Sequence, residues 1–84
     1  MHRTFDLAIL SPGKTVYKGK AVSMVAPAGN GYIGIWRDHA PLIAPLGKGA
    51  ITIKEEGVGT VSIASPGGGI LEIQRKKVTI LFKD

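Results

Sequence analysis

The chain has 84 residues, no cysteine, and 11 Lys and Arg against 6 Asp and Glu, for a net charge of +5. That length makes one domain, expected to span residues 1–84, and such a domain buries only roughly 60% of the surface its unfolded form exposes, so a partner covering more of it is expected. Without cysteine there are no disulfides or thiolate metal sites; no apolar run approaches the roughly 20 residues of a membrane-spanning helix, and the positive balance admits an acidic partner, nucleic acid or an anionic membrane surface as well as a merely solvated one.

The opening Met1-His2-Arg3-Thr4-Phe5-Asp6 runs straight into a strand-like pattern, with neither a secretory nor a transit signal, so the protein is expected to fold where it is made. Phe5, Leu7 and Ile9 take one face of a first strand, and Asp6, Ala8 and Leu10 the other. Ser11-Pro12-Gly13-Lys14 reads as a turn, Pro pre-setting one position and Gly permitting the next. Val16 and Tyr17 begin a second strand that Gly19 is expected to interrupt; Val22-Ser23-Met24-Val25-Ala26 is a third. Asn30-Gly31 is a tight-turn signal, since both residues tolerate positive φ. The alternation of residues 32–36 puts Ile33 and Ile35 toward the core and Tyr32, Gly34 and Trp36 outward.

After His39-Ala40-Pro41 comes a short apolar strand, Leu42-Ile43-Ala44-Pro45-Leu46, which Pro45 limits to an edge or a bulge. Gly47-Lys48-Gly49 turns the chain into Ala50-Ile51-Thr52-Ile53-Lys54, and Glu55-Glu56-Gly57 is a polar hairpin tip. Residues 58–65 form another strand, Pro66-Gly67-Gly68-Gly69 a corner, and Ile70-Leu71-Glu72-Ile73-Gln74 and Val78-Thr79-Ile80-Leu81-Phe82 a last hairpin around Arg75-Lys76-Lys77. No window shows the i, i+3, i+4, i+7 spacing of a helix, and Pro and Gly break nearly every stretch long enough to try. Many short strands at close spacing predict an all-β sandwich or flattened barrel.

Catalysis is poorly supplied. Ser65, His39 and Asp38 could be written as a triad, but Asp38 and His39 are sequence neighbours and there is no Gly-x-Ser-x-Gly elbow. Glu55 and Glu56 fall at a solvated tip. Two isolated histidines, His2 in a fraying terminus and His39, make no metal-ligand spacing. Gly67-Gly68-Gly69 lacks the Gly-Lys-[Ser/Thr] and the helix of a phosphate loop. No cofactor or metal is therefore expected. Arg75-Lys76-Lys77 could grip phosphate, yet the aromatics are too scattered for a stacking platform. His39 is balanced between a turn histidine whose ring nitrogen bonds a backbone carbonyl and an exposed interface side chain. Trp36 and Arg37 are types enriched at interface hot spots, and the outward pair Tyr32 and Trp36 gives a reason to expect a protein partner.

The stretch Gly31-Tyr32-Ile33-Gly34-Ile35-Trp36-Arg37-Asp38-His39-Ala40-Pro41-Leu42 resembles the Gly-x-x-Gly to His-Ala-Pro-Leu signature of the epsilon subunits of F-type ATP synthases. The resemblance covers nearly the whole chain: an opening Phe5-Asp6-Leu7-Ala8-Ile9-Leu10-Ser11-Pro12, the element Val16-Tyr17-Lys18-Gly19, and the closing Gly68-Gly69-Ile70-Leu71-Glu72-Ile73 and Val78-Thr79-Ile80-Leu81 follow in the family's order. It implies a flattened β-sandwich of about ten short strands without substantial helix, in keeping with the strand reading. It also implies a rotor subunit that catalyses nothing itself, binds the gamma subunit and the loops of the membrane ring of c subunits, and couples proton flow to ATP synthesis. The segment from Tyr32 through Trp36, Arg37, Asp38 and His39 matches the region near the c-ring, and Ser11 and His39 match positions near gamma.

Two departures stand out. Trp36-Arg37-Asp38 stands where the family often has an apolar residue and a nearby Pro, and Tyr32 where relatives often carry an acid, which trades a charge pair for apolar contact and one hydroxyl. The chain stops at Lys83-Asp84, so the inhibitory pair of C-terminal helices is expected to be absent unless the polypeptide has been cut there. The implied location is peripheral, on the cytoplasmic face of a bacterial inner membrane or an equivalent coupling membrane. Competing readings are a biotinyl- or lipoyl-type carrier domain, with Lys48 as the modified lysine, and a small basic nucleic-acid-binding sandwich.

Overall fold

The computed structural model describes residues 3–84; Met1 and His2, including the terminus expected to fray, lie outside the described residues. Eight strands make up the order: β1 (Phe5–Ser11), β2 (Lys14–Ala28), β3 (Gly31–Trp36), β4 (Leu42–Pro45), β5 (Lys48–Glu55), β6 (Gly59–Pro66), β7 (Ile70–Ile73) and β8 (Lys77–Leu81). There is no helix among the described residues. The all-β expectation holds, with fewer and longer strands. The second and third expected strands are one, because Gly19 does not interrupt the ladder: it pairs with Leu7. The Tyr17 ring lies over the place where a Cβ would stand on Gly19, an aromatic covering a strand glycine.

That long β2 belongs to two layers. Its first part pairs with β1, and from there the sheet continues through β8 and β7 to the edge strand β4; its last part lies between β3 and β5, with β6 outermost. The register shifts between Ala21 and Ser23. Side chains alternate with period two, so one extra residue moves the buried set from odd to even positions. Ala21 is buried, and then Met24 and Ala26 are. The bulge lets one strand present its inner face to the same core from both layers. Leu7, Ile9, Leu71, Ile73, Val78 and Ile80 enter that core from one side, and Met24, Ile35, Ile51 and Ile53 from the other, all at 2% exposure or less. Each full burial is worth about 1.5–3 kcal/mol.

Turn chemistry explains the connections. Pro12 and Gly13, with Gly13 at φ 72°, form the turn between the paired Ser11 and Lys14, as expected. The β2–β3 turn sits one residue earlier than the Asn-Gly signal suggests. Ala28 pairs with Gly31, the central residues are Gly29 and Asn30, and positive φ falls on Gly29 at 59°; glycine at the first central position is the II′ pattern. At the 66–69 corner, the buried Ser65 hydroxyl donates to Gly47 O at 2.7 Å and accepts from Gly67 N at 3.2 Å. Leu46 N donates to Gly69 O and Gly68 N to Leu46 O, stitching the corner to the end of β4.

Candidate partner-binding surface

The segment after β3 is a tight turn in which His39 N donates to Trp36 O at 3.2 Å. Asp38 carries positive φ, 65°, the one such non-glycine residue among those described, a conformation that Asp tolerates better than most side chains. Its own N–H donates to Arg75 O at 2.9 Å, tying this turn to the β7–β8 loop, and Asp6 N donates to Lys76 O at 2.9 Å, adding the start of β1 to the same end of the sandwich. His39 Nδ1 lies 2.7 Å from Ala40 O. A carbonyl only accepts, so Nδ1 carries the proton and Nε2 points away from that bond. The turn-histidine alternative thus describes Nδ1 and leaves Nε2 for a partner.

Trp36 is 60% exposed, and its ring lies along the strand over Gly34, where a Cβ would stand 2.9 Å from the ring edge. Arg3, Val22, Trp36, Arg37 and Asp38 line a surface groove of about 490 Å³. Tyr32 is also outward, but at the other end of β3, its hydroxyl reaching over Gly49. Ser11 closes β1 at the far end from Asp6, roughly 17 Å along the strand. Of the six residues singled out in sequence, the structure gathers Trp36, Arg37, Asp38 and His39 and leaves Ser11 and Tyr32 apart.

A second surface was not singled out. Cross-strand partners share a face, and the pairs Pro45–Ile70, Ile70–Leu81 and Leu81–Leu10 run across β4, β7, β8 and β1. The inward neighbours Leu71 and Ile80 are fully buried, so this row faces out, with Ile70 47% and Leu81 41% exposed and Ile43 more open still in the adjacent row. The signal was present in sequence: Ile70 and Leu81 are apolar at the outward parity of strands whose inward parity is already apolar.

Tyr17 donates its hydroxyl to the Glu55 carboxylate. Glu55 is therefore not a merely solvated tip residue, as expected, but is anchored across 38 positions of chain. Burial first, then the bond to Glu55 and its charge, push the Tyr17 pKa up to about 12 from 10.0. A raised folded-state pKa gives stability that is complete below the unfolded value and is lost on climbing through the folded one. Tyr17→Phe is expected to lower stability by about 1 kcal/mol at neutral pH, and this deficit should shrink from pH 10 toward 12. Urea midpoints of the two proteins across that range check it.

The catalytic set on paper does not assemble. Ser65 is buried at the corner with Gly47 and Gly67, whereas Asp38 and His39 sit by Arg75 at the other end of the chain fold. Lys48 opens β5 opposite Pro66 and is not a hairpin tip; the β5–β6 tip lies at residues 56–58. No group of three or more His, Cys, Asp or Glu able to hold a metal occurs among the described residues, nor a helix long and apolar enough to cross a membrane.

Comparison with known proteins gives the same architecture a family. The ATP synthase epsilon chain of Leptospira borgpetersenii is 38% identical over 77 residues, covering 90% of this chain and 58% of that one. The epsilon chain of Desulfitobacterium hafniense is 42% identical over 81 residues, covering 96% and 60%. The chain thus spans about 58% of the length of such relatives. Among solved structures, a chain of the Euglena gracilis mitochondrial ATP synthase (OSCP, F1 and c-ring) superposes with a TM-score of 0.88 at 14% identity, covering 100% of this chain and 53% of that one. One of the Tetrahymena thermophila mitochondrial ATP synthase central stalk and c-ring gives 0.74 at 15% identity, covering 95% and 63%. At those identities the likeness is one of fold. The family described as ATP synthase, Delta/Epsilon chain, beta-sandwich domain matches residues 4–84, and the chain belongs to it.

Proposed function

We propose that this chain is a non-catalytic part of the central stalk of a proton-translocating F-type ATP synthase, linking the gamma subunit to the c-ring and helping couple proton flow to ATP synthesis. The observation that carries the reading is the outward apolar row of Pro45, Ile70, Leu81 and Leu10, which leaves one broad sheet face of a small domain uncovered. A face of this kind suits a protein partner, and Ser11 stands next to Leu10 at its end. Gamma is the occupant proposed for it. The turn bearing Trp36, Arg37, Asp38 and His39, at the opposite end of the strands from that row, is proposed for the c-ring side. The domain takes no cofactor, and it associates peripherally, through the complex, with the face of the coupling membrane where ATP is made.

The test is capture of ATP synthase subunits from the protein's own source by this tagged chain, with intact mass read in the same run. Co-purification of gamma supports the reading; capture of neither gamma nor the c-ring overturns it. Trp36→Ala is expected to weaken assembly by about 2 kcal/mol, the usual size for a hot-spot aromatic, and His39→Ala by about 1 kcal/mol. Both should leave the isolated fold intact, as circular dichroism and urea midpoints of the variants will report. Full retention of both variants in a coupled complex would remove these residues from the interface.

A further inference from the structure

We infer that Glu72 and Lys18 decide which way round the gamma subunit lies on the outward sheet face, Glu72 taking a basic side chain of gamma and Lys18 an acidic one; the inference rests on the proposed place of gamma on that face. One step along the strands from the apolar row runs a parallel row of Ile43, Glu72, Thr79, Ala8 and Lys18, on β4, β7, β8, β1 and β2. Its parity is outward, since Leu71, Ile73, Val78 and Ile80 beside it are buried. Its two charged members are opposite in sign and stand three strand spacings, roughly 14 Å, apart. That is too far for them to pair with each other. Between them are Thr79 and Ala8, the shortest side chains of the row, so a partner comes closest to the sheet there.

Covering the apolar row takes Glu72 with it, because Ile70 and Glu72 point the same way two residues apart on β7. Glu72 is already half-buried, in a surface groove of about 450 Å³ that it shares with Pro41, Leu42, Ile43 and Ile73. Its carboxylate makes no hydrogen bond or ion pair with another described residue, Lys77 on the diagonal across β8 included. A carboxylate shut away from water is strongly disfavoured unless a cation meets it. A gamma subunit seated on Ile70 and Leu81 therefore has to bring a cation to this place. The β1–β2 side has the opposite sign. Lys20 Nζ bonds Asp6 Oδ1 at 2.9 Å, and that bond, with the charges of Lys20, Lys77 and Lys18, holds the Asp6 carboxyl below its ordinary range. With Asp6 taken by Lys20, Lys18 and Lys77 are left over. Glu55 and Glu56 lie past this side, toward the Trp36 turn: Glu55 stands opposite Ala21, beyond Lys20, and accepts from Tyr17. Turned over, gamma would set its cation on Lys18 and its carboxylate on Glu72, two like-charge contacts in place of two attractive ones.

The test is competition between parent and variant chains, told apart by intact mass, for the gamma-containing assembly of the protein's own source. Glu72→Gln should lower the variant's bound share about tenfold, and Glu72→Lys should lower it further. Lys18 is exposed, and Lys18→Glu should cost about threefold. The deciding variant is the double swap, Glu72→Lys with Lys18→Glu, which keeps the net charge at +5 and leaves the apolar row untouched. It is expected to bind more weakly than either single variant. Recovery of the double swap to the parent's share would mean that only total charge counts, and overturns the inference. A full share for Glu72→Gln overturns it too; if Leu81→Gln loses its share in the same experiment, the rotor reading stands without it. Failure of the parent itself to capture gamma defeats both. Urea midpoints equal to the parent's are expected for all these variants, because both positions face outward and the core beneath them is unchanged.

Discussion

Gly69→Ala is expected to leave the domain unfolded or destabilised by about 3 kcal/mol or more, the upper range for forcing atoms into a packed site. A Cβ on Gly69 would stand inside the van der Waals shell of the Leu81 carbonyl oxygen, 3.1 Å from its carbon and 3.2 Å from Phe82 Cα. All of these are backbone atoms, so no rotamer change relieves the clash. Relief requires β7 to move from β8, and Gly69 O is also the acceptor for Leu46 N, so the corner that seats β4 moves with it. Gly31→Ala is the control. A Cβ there meets nothing within 4 Å, and the residue has no positive φ. It should lie within about 0.5 kcal/mol of the parent. Urea midpoints of the two variants should therefore separate widely, although each adds one methyl group.

Ile80 and Leu81 make the second test, because adjacent strand residues serve opposite faces. Ile80 is 0% exposed in the shared core, and Ile80→Ala is expected to lose 2–5 kcal/mol. Leu81 is 41% exposed on the outward row, and Leu81→Gln should change stability by less than about 1 kcal/mol. The ranking reverses for assembly. Leu81→Gln should lower gamma capture about tenfold or more, since an apolar contact of this size is worth over 1.4 kcal/mol. A Leu81→Gln protein that folds normally and still captures gamma at full strength would move the partner to another face.

Much of the fold was legible in the alternation itself. Phe5, Leu7 and Ile9 announced the buried face of β1, and Tyr32 and Trp36 were placed outward by parity alone, as the structure has them. What could not be read were features set by tertiary pairing. The bulge near Ala21 leaves Val22-Ser23-Met24 looking like ordinary strand, because the parity change shows only once Leu7 and Ile53 fill one core. Gly19 looked like a breaker because its neighbour across the sheet and the ring covering it come from contacts that sequence does not display. The Tyr17–Glu55 bond has the same character. At the candidate surface, the cluster of residues 36–39 could be read because it is local. The distance of Ser11 and Tyr32 from it could not, since each lies at the opposite end of its own strand from that turn.

The parallel pairing of β1 with β8, in which Ile9 sits beside Ile80, has a consequence for synthesis. The first of these eight strands is flanked by the eighth, so one edge of β1 has no neighbour until residues 77–81 have been made. At about 5–20 residues per second, that wait lasts several seconds, with Phe5, Leu7 and Ile9 exposed. A domain wired this way cannot fold strand by strand as it emerges; its closure is a late, nearly all-or-none event governed by non-local contacts. A newborn chain stalled before residue 77 should therefore be a substrate for holding chaperones, and emergence of β8 should end that dependence abruptly.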